Sequence, residues 1–209
     1  VLFHHVLDHG HDLARGSTYL EQFVFPIVGC HPLQADALRD AWQATLMRHP
    51  ALRASFEWVG RAQHAQCIAM ALDMPWTSST YAWPDGLDNG VGDGAANTRI
   101  ERQLHQLLEQ FLAQDRRRGF DLSTPPLMRC HLAKIQARSY SQSNGVPPVQ
   151  HALVLTIHHI LFDGWSLNII LSDVANEYQQ RCRLTTATPL MSKPGVAAAS
   201  QRRAYLEFI

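Results

Sequence analysis

The stretch "LTIHHILFDGWSLNII", residues 155–170, decides how the chain is read. Its apolar opening reads as the end of a core strand, and two adjacent histidines, His158 and His159, close it. Asp163 and Gly164 then mark a sharp turn, the glycine letting the backbone bend and a ligand approach the main chain. Beyond them the period changes. Leu167, Ile170, Leu171, Val174 and Tyr178 fall at i, i+3, i+4, i+7 and i+11, the stripe of a helix with Ser166 as its expected N-cap. Side chains alternate across a strand, so the two imidazoles are expected on opposite sides of the sheet, one held inside and one facing a cavity.

Working outward, "PPLMRCHLAKI" (125–135) and "VQHALVLTIHH" (149–159) read as a hairpin joined by the polar loop "SYSQSNGVPP" (139–148). "YLEQFVFPIVG" (19–29) reads as another strand, and "ADALRDAWQATLMRH" (35–49) as a helix stopped by Pro50. In "LRASFEW" (52–58), alternation predicts Leu52, Ala54, Phe56 and Trp58 on one face and Arg53, Ser55 and Glu57 on the other. The glycine-rich "PDGLDNGVGDGAAN" (84–97) reads as a surface excursion. Thr98 and Glu101 match a capping box for a helix to about Arg116, with Ile100, Leu104, Leu107, Leu108 and Phe111 as its buried stripe and Gly119 as its C-terminal cap. Helices alternate with strands, so the expected fold class is α/β, in layers, with a mixed sheet and flanking helices.

Composition narrows the function. The chain has 209 residues, 46% hydrophobic and 17% charged, with 18 basic and 18 acidic side chains. That balance suits a globular rather than a disordered chain and gives no footprint for nucleic acid or an acidic membrane surface. No apolar run approaches the roughly 20 residues of a membrane helix. Four scattered cysteines (30, 67, 130 and 182) without a C-x-x-C pair suit reduced thiols and a cytoplasmic setting.

An imidazole with a pKa of about 6.5 is the usual base near neutral pH, and a helix N-terminus after Gly164 would offer N–H donors. A base, a rigid turn and donors near an oxyanion suit acyl transfer. Two histidines and an aspartate are also metal ligands, but adjacent strand residues diverge, and no metal is expected. The histidine-rich "HHVLDHGHD" (4–12) lacks a ligand period and reads as a solvated loop; "DRRRGFD" (115–121) reads as a basic surface run.

These residues resemble the condensation domains of nonribosomal peptide synthetases, in the chloramphenicol acetyltransferase-like superfamily. The signature H-H-x-x-x-D-G is matched by His158, His159, Asp163 and Gly164, and its W-S extension by Trp165 and Ser166. "RHPALRASF" (48–56) is similar to the family's R-H-x-x-L-R-x-x-F, "RRGFDLSTPPLMRCHL" (117–132) to its F-D-L…P-P-L-x-R segment, and "AYLEFI" (204–209) to the start of its next motif. "DGWSLNII" resembles condensation rather than epimerisation members, and "LFHHVLD" (2–8) and "HHILFDGWS" (158–166) resemble members that accept a D-configured donor.

The resemblance implies two lobes in a V around a tunnel. Donor and acceptor peptidyl carrier domains would insert 4'-phosphopantetheine arms from opposite ends, with no cofactor held by the lobe itself and an adenylation domain adjacent. His159 would meet the reacting amine, as base or by positioning it, with Gly164 keeping the tunnel floor open. His158, Asp163, Arg48, Arg53, Trp165 and Ser166 would be structural, Asp163 paired with Arg48 or Arg53 and needed for folding yield. The family's opening Ser and Gln are not found. Residues 1–186 are therefore expected to be the N-terminal lobe, and 187–209 the linker and crossover towards a C-terminal lobe that is missing, leaving this fragment inactive alone. Two other readings are a stand-alone coenzyme A-dependent acyltransferase and a non-catalytic docking lobe.

Overall fold

The computed structural model describes residues 19–27, 32–59, 63–82, 94–136 and 151–186. The histidine-rich 4–12, the loop 139–148 and the segment from 187 onwards lie outside these residues, as does most of the glycine-rich tract.

Six strands and three α-helices are described: β1 (Leu20–Ile27), α1 (Ala35–Arg48), β2 (Ala54–Val59), β3 (Gln63–Ile68), β4 (Trp76–Ala82), α2 (Gly94–Arg118), β5 (Met128–Gln136), β6 (His151–His158) and α3 (Gly164–Thr186). The main sheet has the order β1-β6-β5-β4. β6 is antiparallel to both β1 and β5, while β4 runs parallel to β5, so the sheet is mixed as expected. β2 and β3 form a separate antiparallel pair.

Strand alternation sorts the sheet into two faces. Met128, Cys130, Leu153, Leu155 and Ile157 pack with Leu38, Ala41, Trp42 and Leu46 of α1 and Ile170, Leu171 and Val174 of α3. On the opposite face Ala133, Ile135, Ala152 and Val154 pack against Leu104 and Leu108 of α2. β6 is therefore covered on both sides, and its residues 152–158 are all buried. This is a three-layer arrangement with β6 in the middle.

Several boundaries differ from the sequence reading. α2 begins at Gly94, inside the glycine-rich tract, so Thr98 lies within the helix rather than capping it. Gly119 does close it, at φ 60, with its N–H donated to the Arg116 carbonyl at 3.1 Å. Pro50–Arg53 is a 3-10 turn rather than strand, and Ser55 is buried beside Ala54 and Phe56, so the two-faced alternation holds only in part. β3 and β4 carry no periodic signal; five of the seven β4 positions, Thr77 to Thr80 and Ala82, are exposed.

Candidate active site

β6 ends at His158, and the chain turns at once into a 3-10 segment, His159–Leu161. His159 is thus on the turn, not on the strand as expected from alternation. The His158 amide donates to the Leu127 carbonyl at 2.9 Å and the His159 amide to the Tyr19 carbonyl at 2.7 Å. Tyr19 holds that carbonyl from a left-handed backbone, φ 61, which costs a residue with a side chain roughly 1–2 kcal/mol. The two imidazoles have different surroundings. His158 is buried, and its Nδ1 accepts the Ile160 amide at 3.2 Å. Burial first, and then the neighbouring His159, lowers its pKa to about 4, so it is neutral at neutral pH. His159 is half-buried, its ring 4.8 Å from that of Phe162. Its Nδ1 is buried with no hydrogen-bond partner among the described residues.

Asp163 pairs with no arginine among the described residues, neither Arg48 nor Arg53. It is exposed and caps α3: its Oδ1 accepts the Ser166 amide at 2.7 Å and the Trp165 amide at 3.1 Å, and the Ser166 Oγ lies 2.6 Å away. Its own amide donates to the Ser166 Oγ at 2.8 Å. The N-cap is therefore Asp163, with Ser166 in the reciprocal position expected of the cap's partner. Hydrogen bonds from Ser166, first its hydroxyl and then its amide, hold the Asp163 carboxyl below the usual carboxylate range.

Arg48 instead pairs with Glu177 and lies 3.6 Å from Asp173, while His49 Nε2 meets the other Asp173 oxygen at 2.7 Å. Arg53 donates to the Ala69 carbonyl and, at 3.3 Å, to that of Met70. The reason is helical geometry: Asp173 lies ten residues, about 15 Å, along α3 from Asp163, facing the end of α1. The motif arginines thus join α1 to α3 and hold β3, but do not touch the histidine turn.

Gly164 is the first residue of α3 and is not in the left-handed region, so the bend does not require a glycine. What the missing side chain leaves is space: a Cβ there would meet nothing within 4 Å. Asp163 takes the Trp165 and Ser166 amides with its carboxylate and the Leu167 amide with its carbonyl at 3.1 Å. Of the first four amides of α3, only that of Gly164 is left without a partner among the described residues. Beside it Trp165 is 85% exposed, with Ile169 one turn on, also exposed.

Sequence reasoning missed one group. Asp115, in the run read as surface, is buried and bonded to the buried Arg129, Nε to Oδ1 at 2.6 Å. Its Oδ2 accepts Thr156 at 2.7 Å and Gln22 at 3.2 Å. The Arg129 guanidinium also donates to the Gly119 and Asp115 carbonyls and lies 4.2 Å over the Phe120 ring. Burial alone would raise the Asp115 pKa; the bonds from Arg129 and Thr156 outweigh it and lower it. The signal was present: Leu104, Leu108, Phe111 and Asp115 continue one helical stripe at i, i+4, i+7 and i+11. A cavity of about 400 Å³ opens beside this group, lined by Phe111, Asp115, Arg129, His131 and Thr156 among others; it does not reach His159 or Gly164. Among the described residues no three His, Cys, Asp or Glu side chains come together as metal ligands, and no helix is long and apolar enough to cross a membrane.

A mixed sheet between helix layers, with a dihistidine turn at the end of an inner strand, is the arrangement of the chloramphenicol acetyltransferase-like fold. The chain belongs to the condensation domain family, whose profile, "Condensation domain", matches residues 4–194. Bacitracin synthase 1 of Bacillus licheniformis is 33% identical over 179 residues, 85% of this chain and 3% of that protein. Chondramide synthase cmdD of Chondromyces crocatus is 32% identical over 165 residues, 78% of this chain and 3% of that protein. The first condensation domain of the calcium-dependent antibiotic synthetase has the same fold, with a TM-score of 0.57 at 20% identity over 90% of this chain and 38% of that one. The chain therefore spans a small part of the curated relatives it matches.

Proposed function

We propose that residues 1–186 are the histidine-bearing lobe of a condensation domain that joins a donor acyl thioester to an acceptor amine, both carried on phosphopantetheine arms of carrier domains. Residues 187–209 would lead towards a second lobe, and the whole would work in the cytoplasm within a multidomain synthetase. The observation that carries the reading is the His159 turn: a half-buried imidazole with one ring nitrogen lacking a partner among the described residues, followed five residues on by a glycine with open space where a side chain would be.

In this reading the acceptor nitrogen attacks the donor carbonyl. The C–N bond forms, the C–S bond breaks, the thiolate leaves on its arm, and the amine proton ends on that sulfur. His159 holds the amine or relays its proton. The Gly164 amide is the donor available to the oxyanion, since Asp163 occupies the next three. His158, neutral and bonded to the turn's own backbone, shapes the turn without touching substrate. Holding two tethered reactants together supplies up to roughly 7–11 kcal/mol by proximity, and a positioned imidazole adds about 100-fold or more to that.

The test is dipeptide formation from loaded carriers by the synthetase that contains this lobe. His159→Ala is expected to lower the rate roughly 100-fold or more. An unchanged rate would leave the lobe a docking element only.

A further inference from the structure

We propose that Asp115, with Arg129 and Thr156, is a positioning group for the His159 turn: one buried carboxylate sets where the three strands around that turn sit. The inference rests on the functional reading above.

The turn hangs from two backbone bonds, His158 N–H to the Leu127 carbonyl and His159 N–H to the Tyr19 carbonyl. Each acceptor lies just outside a strand anchored to the last turns of α2. Leu127 is two residues before Arg129, whose Nε and a terminal nitrogen grip the Asp115 carboxylate and carbonyl. Tyr19 precedes Leu20, whose carbonyl accepts Arg116 at 3.2 Å, and Gln22, which donates to Asp115 and to the Leu112 carbonyl, both at 3.2 Å. Thr156, two residues before His158, donates to the same carboxylate at 2.7 Å. β1, β5 and β6 thus each reach Asp115 within three residues of the point where they hold the histidine turn.

A buried ion pair is a poor source of stability, because desolvation offsets its attraction, but a fully bonded one specifies a single arrangement of its partners. Three directed bonds to one carboxylate, one from each of three strands, do that here, with a fourth from Arg129 to the Asp115 carbonyl. A shift of about 1 Å in a reacting group can cost on the order of 100-fold in rate.

The experiment measures kcat and KM for dipeptide formation by the full synthetase. Thr156→Val keeps the shape of the side chain and removes its bond to Asp115; kcat should fall roughly 10-fold or more with KM little changed. Thr156→Ser, which retains the hydroxyl, should restore it. A folded Thr156→Val enzyme with parental kcat overturns the inference, as does failure of Thr156→Ser to restore the rate. Should Thr156→Val not fold, Gln22→Leu removes another donor to the same oxygen and is read with the same two outcomes. His159→Ala is run alongside: if it stays active the functional reading fails, whereas an inactive His159→Ala beside a fully active Thr156→Val sinks the positioning role alone.

Discussion

At the scale of single residues, acid acts on the buried His158. Unfolded, the His158 imidazole binds a proton below a pH of about 6.5; folded, burial and His159 keep it neutral down to about 4. Its contribution to stability is full above the unfolded value and is lost as the pH falls through that window, by up to about 3 kcal/mol. Urea titrations at pH 7 and pH 4.5 should show His158→Gln with a smaller pH dependence than the parent; equal slopes would contradict the burial. Asp163 is a different case. As an exposed cap its removal is mild: Asp163→Ala is expected to fold and to melt slightly earlier, and Asp163→Asn to recover, because an amide oxygen accepts the same N–H bonds. A calorimetric scan in which Asp163→Ala has no folded baseline would restore the arginine pairing expected from the motif.

At the scale of elements, α1 and α3 are joined by packing and by a short ionic ladder. Glu177 lies between Arg48 and Arg181, the latter at 2.9 Å, with its own side chain nearly buried. Glu177→Ala leaves both guanidinium groups without that partner, and a loss of about 1–2 kcal/mol is expected in urea denaturation, discounted because Arg48 is half-exposed. These two helices were legible in the sequence because each buries one stripe: Leu38, Trp42 and Leu46 in α1, and Ile170, Leu171 and Val174 in α3. β6 was legible as a nearly continuous apolar run, "ALVLTI", the pattern of a strand covered on both faces, while β5 alternates at its start, with Met128, Cys130 and Leu132 apolar and Arg129 and His131 between them. β4 was not, since "WTSSTYA" sits at the sheet edge with four adjacent exposed residues and so lacks both alternation and apolar character. Of the site, the histidines and the strand-to-helix turn could be read directly. The partner of Asp163 could not: two arginines at suitable sequence positions do not say which carboxylate they reach once α3 is laid against α1.

At the scale of the whole molecule, the histidine turn presents its open side, Gly164 and Trp165, away from both buried clusters. The 209-residue chain alone is therefore expected to give no dipeptide from loaded carriers, and a mass-spectrometric assay that detected one would show that these residues suffice. The register of the sheet has another consequence. β1 pairs with β6 along its whole length, Leu20 opposite His158 and Ile27 opposite His151. Such remote pairing closes a very long loop and makes folding slow. On a ribosome, the first strand must wait until residues 151–158 have emerged before its neighbour exists, so nascent chains stalled before residue 150 would be targets for chaperones and proteases.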